Sequence, residues 1–391
     1  MLYIIDNDIL DKICDDKISG NDLEKLDLLF GILEKIMLSK FNGVLVADNN
    51  FQNRYANLKK TNFIQTHKPA SKVFYYIFEN YQEIYNLIQQ LPIKALITWQ
   101  KNNTVQTAKQ INLQDTIQID VDTFVSVSRK INFDDIISLT VENPTDYHLY
   151  QNFVCYFGPS FDKTLKYYRL NMANGGGGSI GYTMEGEIYI NHRLTVAITD
   201  SDKSVSKSTD YLGSTAKNAV RTAENLNSRM KATLTKVFIL SVNEKENLFT
   251  PKEYESAFQN SSEGEKKTLN YLKNIEKELN KNKSPELESF LCTFDYKKGI
   301  SELNYPVIVA NNQQVHEIAN RSNSLTRDLI GLGDDPVKRF FPIQDSNHCN
   351  YYTGSFNIDI LDVNSFIHSY RSKIAYFMYA LGFGFYPMSS L

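Results

Sequence analysis

Four short apolar runs, each closing on a polar cluster, constrain this chain more than any other feature. They lie at 136–141, 165–172, 194–198 and 236–242, and they are rich in β-branched and aromatic residues. A helical pattern at 145–157 separates the first two, and another at 215–233 separates the last two. Strands buried on both faces read as continuous apolar runs rather than alternating ones. Strands that alternate with helices point to βαβ units and a parallel sheet. The spacing therefore predicts an α/β unit with a parallel sheet flanked by helices, over 131–250.

The flanking segments read differently. With 391 residues, two or three domains are expected at roughly 100–200 residues each. Residues 1–130 open with a strand at 2–5, then a helix at 22–39 with Leu23, Leu26, Leu29, Phe30, Leu33 and Ile36 on one face. A second strand follows at 44–46 and a second helix at 72–92. The polar stretch 103–122 reads as exposed strands or a linker. Residues 251–391 form a mostly helical region, with a charged helix within 258–288 and a final helix at 363–381. The expected fold class is α/β, with an N-terminal α/β accessory domain, a central sheet and a helical C-terminal region.

Composition removes several classes. Hydrophobic residues make up 42% and charged residues 22% of the chain, so it can bury a core. The net charge of −3 does not indicate wholesale electrostatic binding to nucleic acid, although a local basic face remains open. Cys14, Cys155, Cys292 and Cys349 are far apart, which excludes zinc and redox spacings. They are expected as small buried hydrophobes. Acidic residues come too early for a signal peptide. The longest apolar stretch, 374–388, is too short to span a membrane. The expected location is the cytoplasm.

In an open α/β sheet, ligands bind beyond the carboxyl ends of the strands. The first run here ends in Glu142-Asn143-Pro144-Thr145-Asp146, and the second in Asn174 followed by Gly175–Gly178. The third ends in Asp200-Ser201-Asp202-Lys203, and the fourth in Asn243-Glu244-Lys245-Glu246-Asn247. Parallel strands would gather all four clusters at one edge. Carboxylates crowded together repel unless a cation neutralises them or their pKa values rise. Mg²⁺ takes oxygen ligands, keeps several waters and uses one or two protein carboxylates. Asp200 and Asp202, two apart, would face one side of an extended chain. Blander roles stay open. Asp146 suits the first turn of a helix capped by Asn143 with Pro144 next. Asp200 to Asp202 suits a solvated loop, and the glycines suit a plain turn. No phosphate-binding G-x-x-x-x-G-K-[ST] loop occurs.

These residues, over about 136–248, resemble the TOPRIM fold. That family carries a Glu at the end of its first strand, a glycine-containing turn after the second and a D-x-D after the third. The corresponding residues are Glu142, Gly175–Gly178, and Asp200 with Asp202. The chain is most similar to the TOPRIM domains of OLD-family nucleases and of standalone TOPRIM effectors in phage defence such as PARIS, which often carry an acidic-Asn-Leu segment like Glu246-Asn247-Leu248. Asn143 stands where the family usually has glycine, and a polar insertion at 203–214 follows the D-x-D.

The resemblance implies Mg²⁺- or Mn²⁺-dependent phosphodiester hydrolysis. Glu142, Asp200 and Asp202 would be catalytic. Glu142, Asp146, Asp200, Asp202 and Glu246 would be metal ligands, and Gly176, Gly177, Lys203 and Lys207 would contact substrate. The absence of an ATPase suggests a separate ATPase partner. From Lys203 to Lys236 there are seven basic residues against two acidic, which suits a phosphate backbone.

The expectation is a nuclease acting on RNA, tRNA among the candidates, or on DNA, as a toxic effector in antiphage defence. Two rivals accompany it. Asp6-Asn7-Asp8, with Asp48, faintly resembles the opening of PIN-like ribonucleases, which would put the cutting in the N-terminal domain. A non-catalytic sensor or partner-binding subunit is the other. Homo-oligomerisation, RNA against DNA, and the trigger are open from sequence.

Overall fold

The computed structural model describes residues 1–15, 18–39, 41–88, 91–99, 115–161, 168–203, 211–257, 261–301, 312–321, 329–340 and 361–383. Two four-stranded parallel sheets organise it. The first contains β1 (Leu2–Ile5), α1 (Asn7–Cys14), α2 (Gly20–Leu38), β2 (Gly43–Val46), α3 (Phe51–Leu58), α4 (Asn62–Thr66), α5 (Lys68–Ile88), β3 (Ile93–Thr98), β4 (Asp115–Asp120) and α6 (Val121–Val127). Its strand order is β2-β1-β3-β4. The residues of β1 and β2 are all buried, as strands covered on both faces must be. Between α2 and α5, Phe30 and Phe74 meet with ring centroids 5.0 Å apart.

The second sheet contains β5 (Ser138–Val141), α7 (Pro144–Phe161), β6 (Asn171–Asn174), α8 (Ile180–Tyr189), β7 (Thr195–Thr199), α9 (Ser214–Met230) and β8 (Lys236–Ile239). All its pairings are parallel, in the order β6-β5-β7-β8. The chain steps from β5 to β6 on one side and then to β7 on the other. The direction of winding thus reverses between β5 and β7, which is where such sheets open a crevice at their carboxyl edge.

The remaining described segments buttress this sheet. A 3-10 turn at Lys245–Leu248 leads to α10 (Pro251–Ala257), α11 (Glu263–Asn282) and α12 (Pro285–Thr293). A two-stranded antiparallel pair, β9 (Gly299–Ile300) with β10 (Leu329–Ile330), lies beyond α12. The charged helix α11 is not solvated all round. Leu269, Leu272, Ile275 and Leu279 form a buried stripe, each contributing about 1.5–3 kcal/mol.

The C-terminal helix His368–Leu381 packs on α7 and also touches β3, joining the two sheets. It brings Arg371 into the core. Arg371 is fully buried, and its Nη1 and Nη2 lie 2.9 and 3.0 Å from the carboxylate oxygens of Glu253. Arg371 also donates to the Leu248 carbonyl at 3.3 Å, so this buried pair holds the turn after β8 in place.

Several expectations need correction. A third strand, β3, fills the centre of the first sheet where no strand is read from sequence. Within 103–122, β4 is an ordered parallel strand with Ile117 and Ile119 buried, while 101–114 lie outside the described residues. Helix α8 was also unforeseen. Cys14 and Cys155 are exposed and Cys292 is half-buried, because the first two sit on outward faces of α1 and α7; Cys349 lies outside the described residues. No helix among the described residues is long and apolar enough to cross a membrane.

Candidate functional site

The carboxyl ends of β5, β7 and β8 converge where the second sheet reverses its winding. Val141 pairs in register with Ile198, and Thr199 with Ile239. Glu142 and Asp200 therefore leave neighbouring strands side by side, and the turn carrying Glu244 to Asn247 follows β8 next to them. The predicted gathering of the polar clusters at one edge is present.

These groups act on one another electrostatically. Burial, then Asp146 and Asp202, push the Glu142 carboxyl up to about 7. Asp200 is the hub. Burial raises its pKa well above the ordinary range, and Asp146, Glu142, Glu246 and Glu244 all add to the effect. Burial is also the main cause that lifts Glu246 to about 7. These are the directions expected where the charged form is both desolvated and crowded by like charge. Tyr150, buried on α7, is likewise pushed well above its usual pKa by burial and by Asp200.

Two lysines offset part of this charge: Lys245, read from sequence only as part of the cluster after the fourth run and given no role there, and Lys297, which the sequence reading missed. The Lys245 ammonium donates to Asp146 Oδ1 at 2.8 Å and to Thr145 Oγ1 at 3.0 Å. Lys297 reaches Glu244 Oε2 at 2.7 Å and Glu246 Oε2 at 3.4 Å. Burial opposes the charge on Lys245, but Asp146 and Glu246 outweigh it and hold the pKa above its ordinary value. Lys297 behaves in the same way, with Glu246 and Glu244 outweighing burial. Neither pairing is visible in sequence, since the partners lie about a hundred residues apart for Lys245 and about fifty for Lys297.

Each expected site residue has a definite place. Asp146 does take the helix-start role: its Oδ2 accepts from the Asn143 backbone N–H at 3.0 Å, and Lys245 occupies Oδ1. Glu246 is fully buried, and among the described residues Lys297 at 3.4 Å faces its Oε2 while neither carboxylate oxygen accepts a hydrogen bond. Asn247 locks this turn by donating to the carbonyls of Leu291 and Phe294 at 2.9 and 2.8 Å. Asp202 departs from the extended geometry expected of it. β7 ends at Thr199, and Asp202 adopts a left-handed φ of 54°. Its backbone N–H donates to Asn243 O at 2.9 Å, and its carboxylate lies against Gly213 at the start of α9, where an added Cβ would meet Oδ2 at 1.7 Å. Asp200 and Asp202 therefore do not share one face of an extended strand.

The glycine turn is ordered. Gly176 and Gly177 have φ of 54° and 58°, a region that glycine enters without steric cost. The Gly177 N–H donates to the Glu142 carbonyl at 3.3 Å and the Gly175 N–H to the Val141 carbonyl at 2.7 Å. Lys203 follows Asp202 half-exposed, and Lys207 lies outside the described residues. Of the basic stretch, Lys217, Arg221, Arg229 and Lys231 are exposed, but Lys236 is buried at the start of β8.

The N-terminal acidic residues are engaged locally. Asp6 accepts from the Asn7 N–H at 2.7 Å, and Asp8 Oδ2 accepts from the Trp99 N–H at 2.8 Å. Asp48 accepts from the Asn50 N–H at 2.8 Å and pairs with Arg54 at 3.3 Å. The bond from Asp8 to Trp99 spans β1 and β3, the point where the first sheet reverses its winding.

The donor set at the second sheet is entirely hard oxygen. Among the described residues no three His, Cys, Asp or Glu side chains converge as a metal cage. Mg²⁺ does not need one, because it completes its shell with water and phosphate oxygens. Glu142 and Asp200, at the carboxyl ends of β5 and β7, are the carboxylates that would hold such an ion, and beside them the buried Glu246 carboxylate is offset only in part by Lys297 at 3.4 Å. No family model, curated protein or solved structure matches the chain.

Proposed function

We propose that this chain is a metal-dependent nuclease whose reacting centre lies between the ends of β5 and β7. The observation that carries this reading is the juxtaposition of Glu142 and Asp200 at the reversal point of a parallel sheet, both biased toward protonation by burial and by the carboxylates around them. Such perturbed carboxylates in a crevice are candidates for proton transfer and metal binding. Glu142 and Asp200 would hold Mg²⁺ or Mn²⁺, with Glu246 supporting. When bound, the ion supplies charge stabilisation and an activated water at a phosphodiester.

The residues of the chain itself divide the remaining work. Glu142, poised near neutrality, can accept and return a proton. Asp146 and Lys245 fix the start of α7 and one wall of the crevice. Lys297 limits repulsion between Glu244 and Glu246. The turn at Gly175–Gly178 allows close backbone approach to a substrate beside Glu142. Asp202, turned toward α9, is better suited to ordering that helix start than to sharing an ion with Asp200.

The TOPRIM resemblance and a setting in antiphage defence, with an ATPase supplied by another chain, belong to this same reading. The N-terminal alternative is weaker, since Asp8 already accepts from the Trp99 N–H and Asp48 already pairs with Arg54. Induced expression in cells tests both, comparing wild type with Glu142→Ala and with Asp6→Ala/Asp8→Ala, and running total RNA and genomic DNA on gels. Nucleic-acid loss that disappears only with Glu142→Ala supports the second sheet. Loss that survives Glu142→Ala and disappears with the aspartate pair moves the chemistry to the first.

A further inference from the structure

Helices α8 and α9 enclose a groove of about 500 Å³, lined by Gly178, Tyr182, Glu185, Asn218, Arg221 and Asn225 among others. Of these residues only Gly178, at the end of the glycine turn, borders the carboxylate edge. We propose that this groove binds single-stranded nucleic acid, with a base stacked on Tyr182 and a phosphate held by Arg221. The proposal rests on the nuclease reading for its link to chemistry, but its binding claim is separately testable.

Four observations support it. Tyr182 is 78% exposed, an unusual position for a large ring on a helix that packs against its neighbours, and Tyr189 is 43% exposed seven residues on. That spacing puts both rings on the same side of α8. Arg221 is exposed and makes no ion pair among the described residues, so its guanidinium is available to an anion. The outward face of α9 carries Lys217, Arg221 and Arg229 against Glu224, which concentrates positive charge in a chain of net charge −3. Finally, the floor is close-packed. A Cβ at Gly181 would meet Thr222 Oγ1 at 2.5 Å, so side chains of α9 pack directly on the α8 backbone at the floor of the groove.

The groove also connects to the reacting centre. Asn218 Nδ2 donates to the Gly178 carbonyl at 2.9 Å, while Gly177 N–H donates to the Glu142 carbonyl. One glycine turn thus forms the end of the groove and the flank of Glu142, and a strand lying along α8 and α9 is delivered to the carboxylates. Aromatic rings beside basic side chains are the usual means of holding unpaired strands, because every base has a face to stack while phosphates are held by charge. A duplex keeps its bases stacked on each other and offers Tyr182 none. Asn218, Asn225 and the Glu185 carboxylate can exchange hydrogen bonds with base edges.

The test uses the full chain carrying Glu142→Gln, so that probe is not consumed, with fluorescently labelled short oligo(dT), oligo(U) and a blunt duplex followed by anisotropy. Tyr182→Ala is expected to weaken single-strand binding by about tenfold, and Tyr182→Phe to restore it. Arg221→Ala is expected to weaken binding and lower the salt dependence by roughly one counterion. Both variants should keep the parent's thermal unfolding midpoint. The proposal is overturned if these variants bind as the parent does, if the duplex binds as tightly as the single strands, or if no single strand binds. Cleavage by chains with Glu142 intact separates the two claims. Groove-dependent binding without any cleavage sinks the nuclease reading and leaves the groove, while cleavage with groove-independent binding does the reverse.

Discussion

The Lys245 ammonium lies 2.8 Å from Asp146 Oδ1, with both side chains more than nine-tenths buried. One chain-borne cation therefore sits permanently in a wall of the acidic crevice. Its partner also caps α7, so the pair fixes the helix start relative to the turn after β8.

Lys245→Met should be strongly destabilising. It leaves Asp146 as a buried carboxylate beside Asp200 and Glu142, and removing one partner of a buried pair costs about 3–5 kcal/mol. Urea unfolding of the single variant and of Lys245→Met/Asp146→Asn measures this. The double variant should recover a large part of the loss. Equal loss in single and double variants would show that the pair contributes nothing beyond shape.

Stability should rise as the pH falls through neutrality when no divalent ion is present. Glu246 is lifted from 4.5 to about 7 in the folded chain. Between these values the folded state holds a proton that the unfolded state has released, so stability decreases as pH rises across this window. The penalty is complete above about 7 and absent below about 4.5. Glu246→Gln should therefore be the more stable protein at pH 8, by on the order of 3 kcal/mol, and should gain less on acidification. Urea midpoints of both proteins from pH 8 to 5 in EDTA test this. Parallel pH profiles would contradict it.

Gly175 and Gly178 should respond differently to alanine. A Cβ at Gly175 would meet the Val141 carbonyl at 2.8 Å and Ile180 Cγ1 at 2.7 Å, while Gly178 has open space. Gly175→Ala must displace backbone beside Glu142, with a cost of about 1–3 kcal/mol. Gly178→Ala should be nearly neutral. Thermal unfolding compares the two, and a neutral Gly175→Ala would mean that the turn yields easily.

Three strands of the second sheet were legible because they are short, apolar and followed by polar clusters, whereas the strand expected at 165–172 is β6 at Asn171–Asn174, a half-exposed edge strand with a polar residue at each end. Asn143, Pro144 and Asp146 also announced the start of α7. Other features depend on contacts that sequence does not display. Six residues at Ile93–Thr98 cannot be assigned by periodicity alone, and they become a strand only by pairing with β1 and β4. Helix α8 contains Gly181 and Gly186, which weaken its local signal. Lys245 and Lys297 look like ordinary surface lysines until the fold brings them to carboxylates. Asp202 read as extended because nothing local shows that β7 stops at Thr199 and that the chain then turns left-handed against Gly213.

Cleavage of labelled single-stranded RNA and DNA by purified protein, with Mg²⁺ and with EDTA, is the most direct measurement. It should be made on wild type and on Asp200→Asn, an isosteric change at the hub of the cluster. The account predicts Mg²⁺-dependent cleavage of at least one substrate by wild type and a loss of at least about a hundredfold in Asp200→Asn. Cleavage that is insensitive to EDTA, or that persists undiminished in Asp200→Asn, would contradict the assignment of this crevice as the reacting centre.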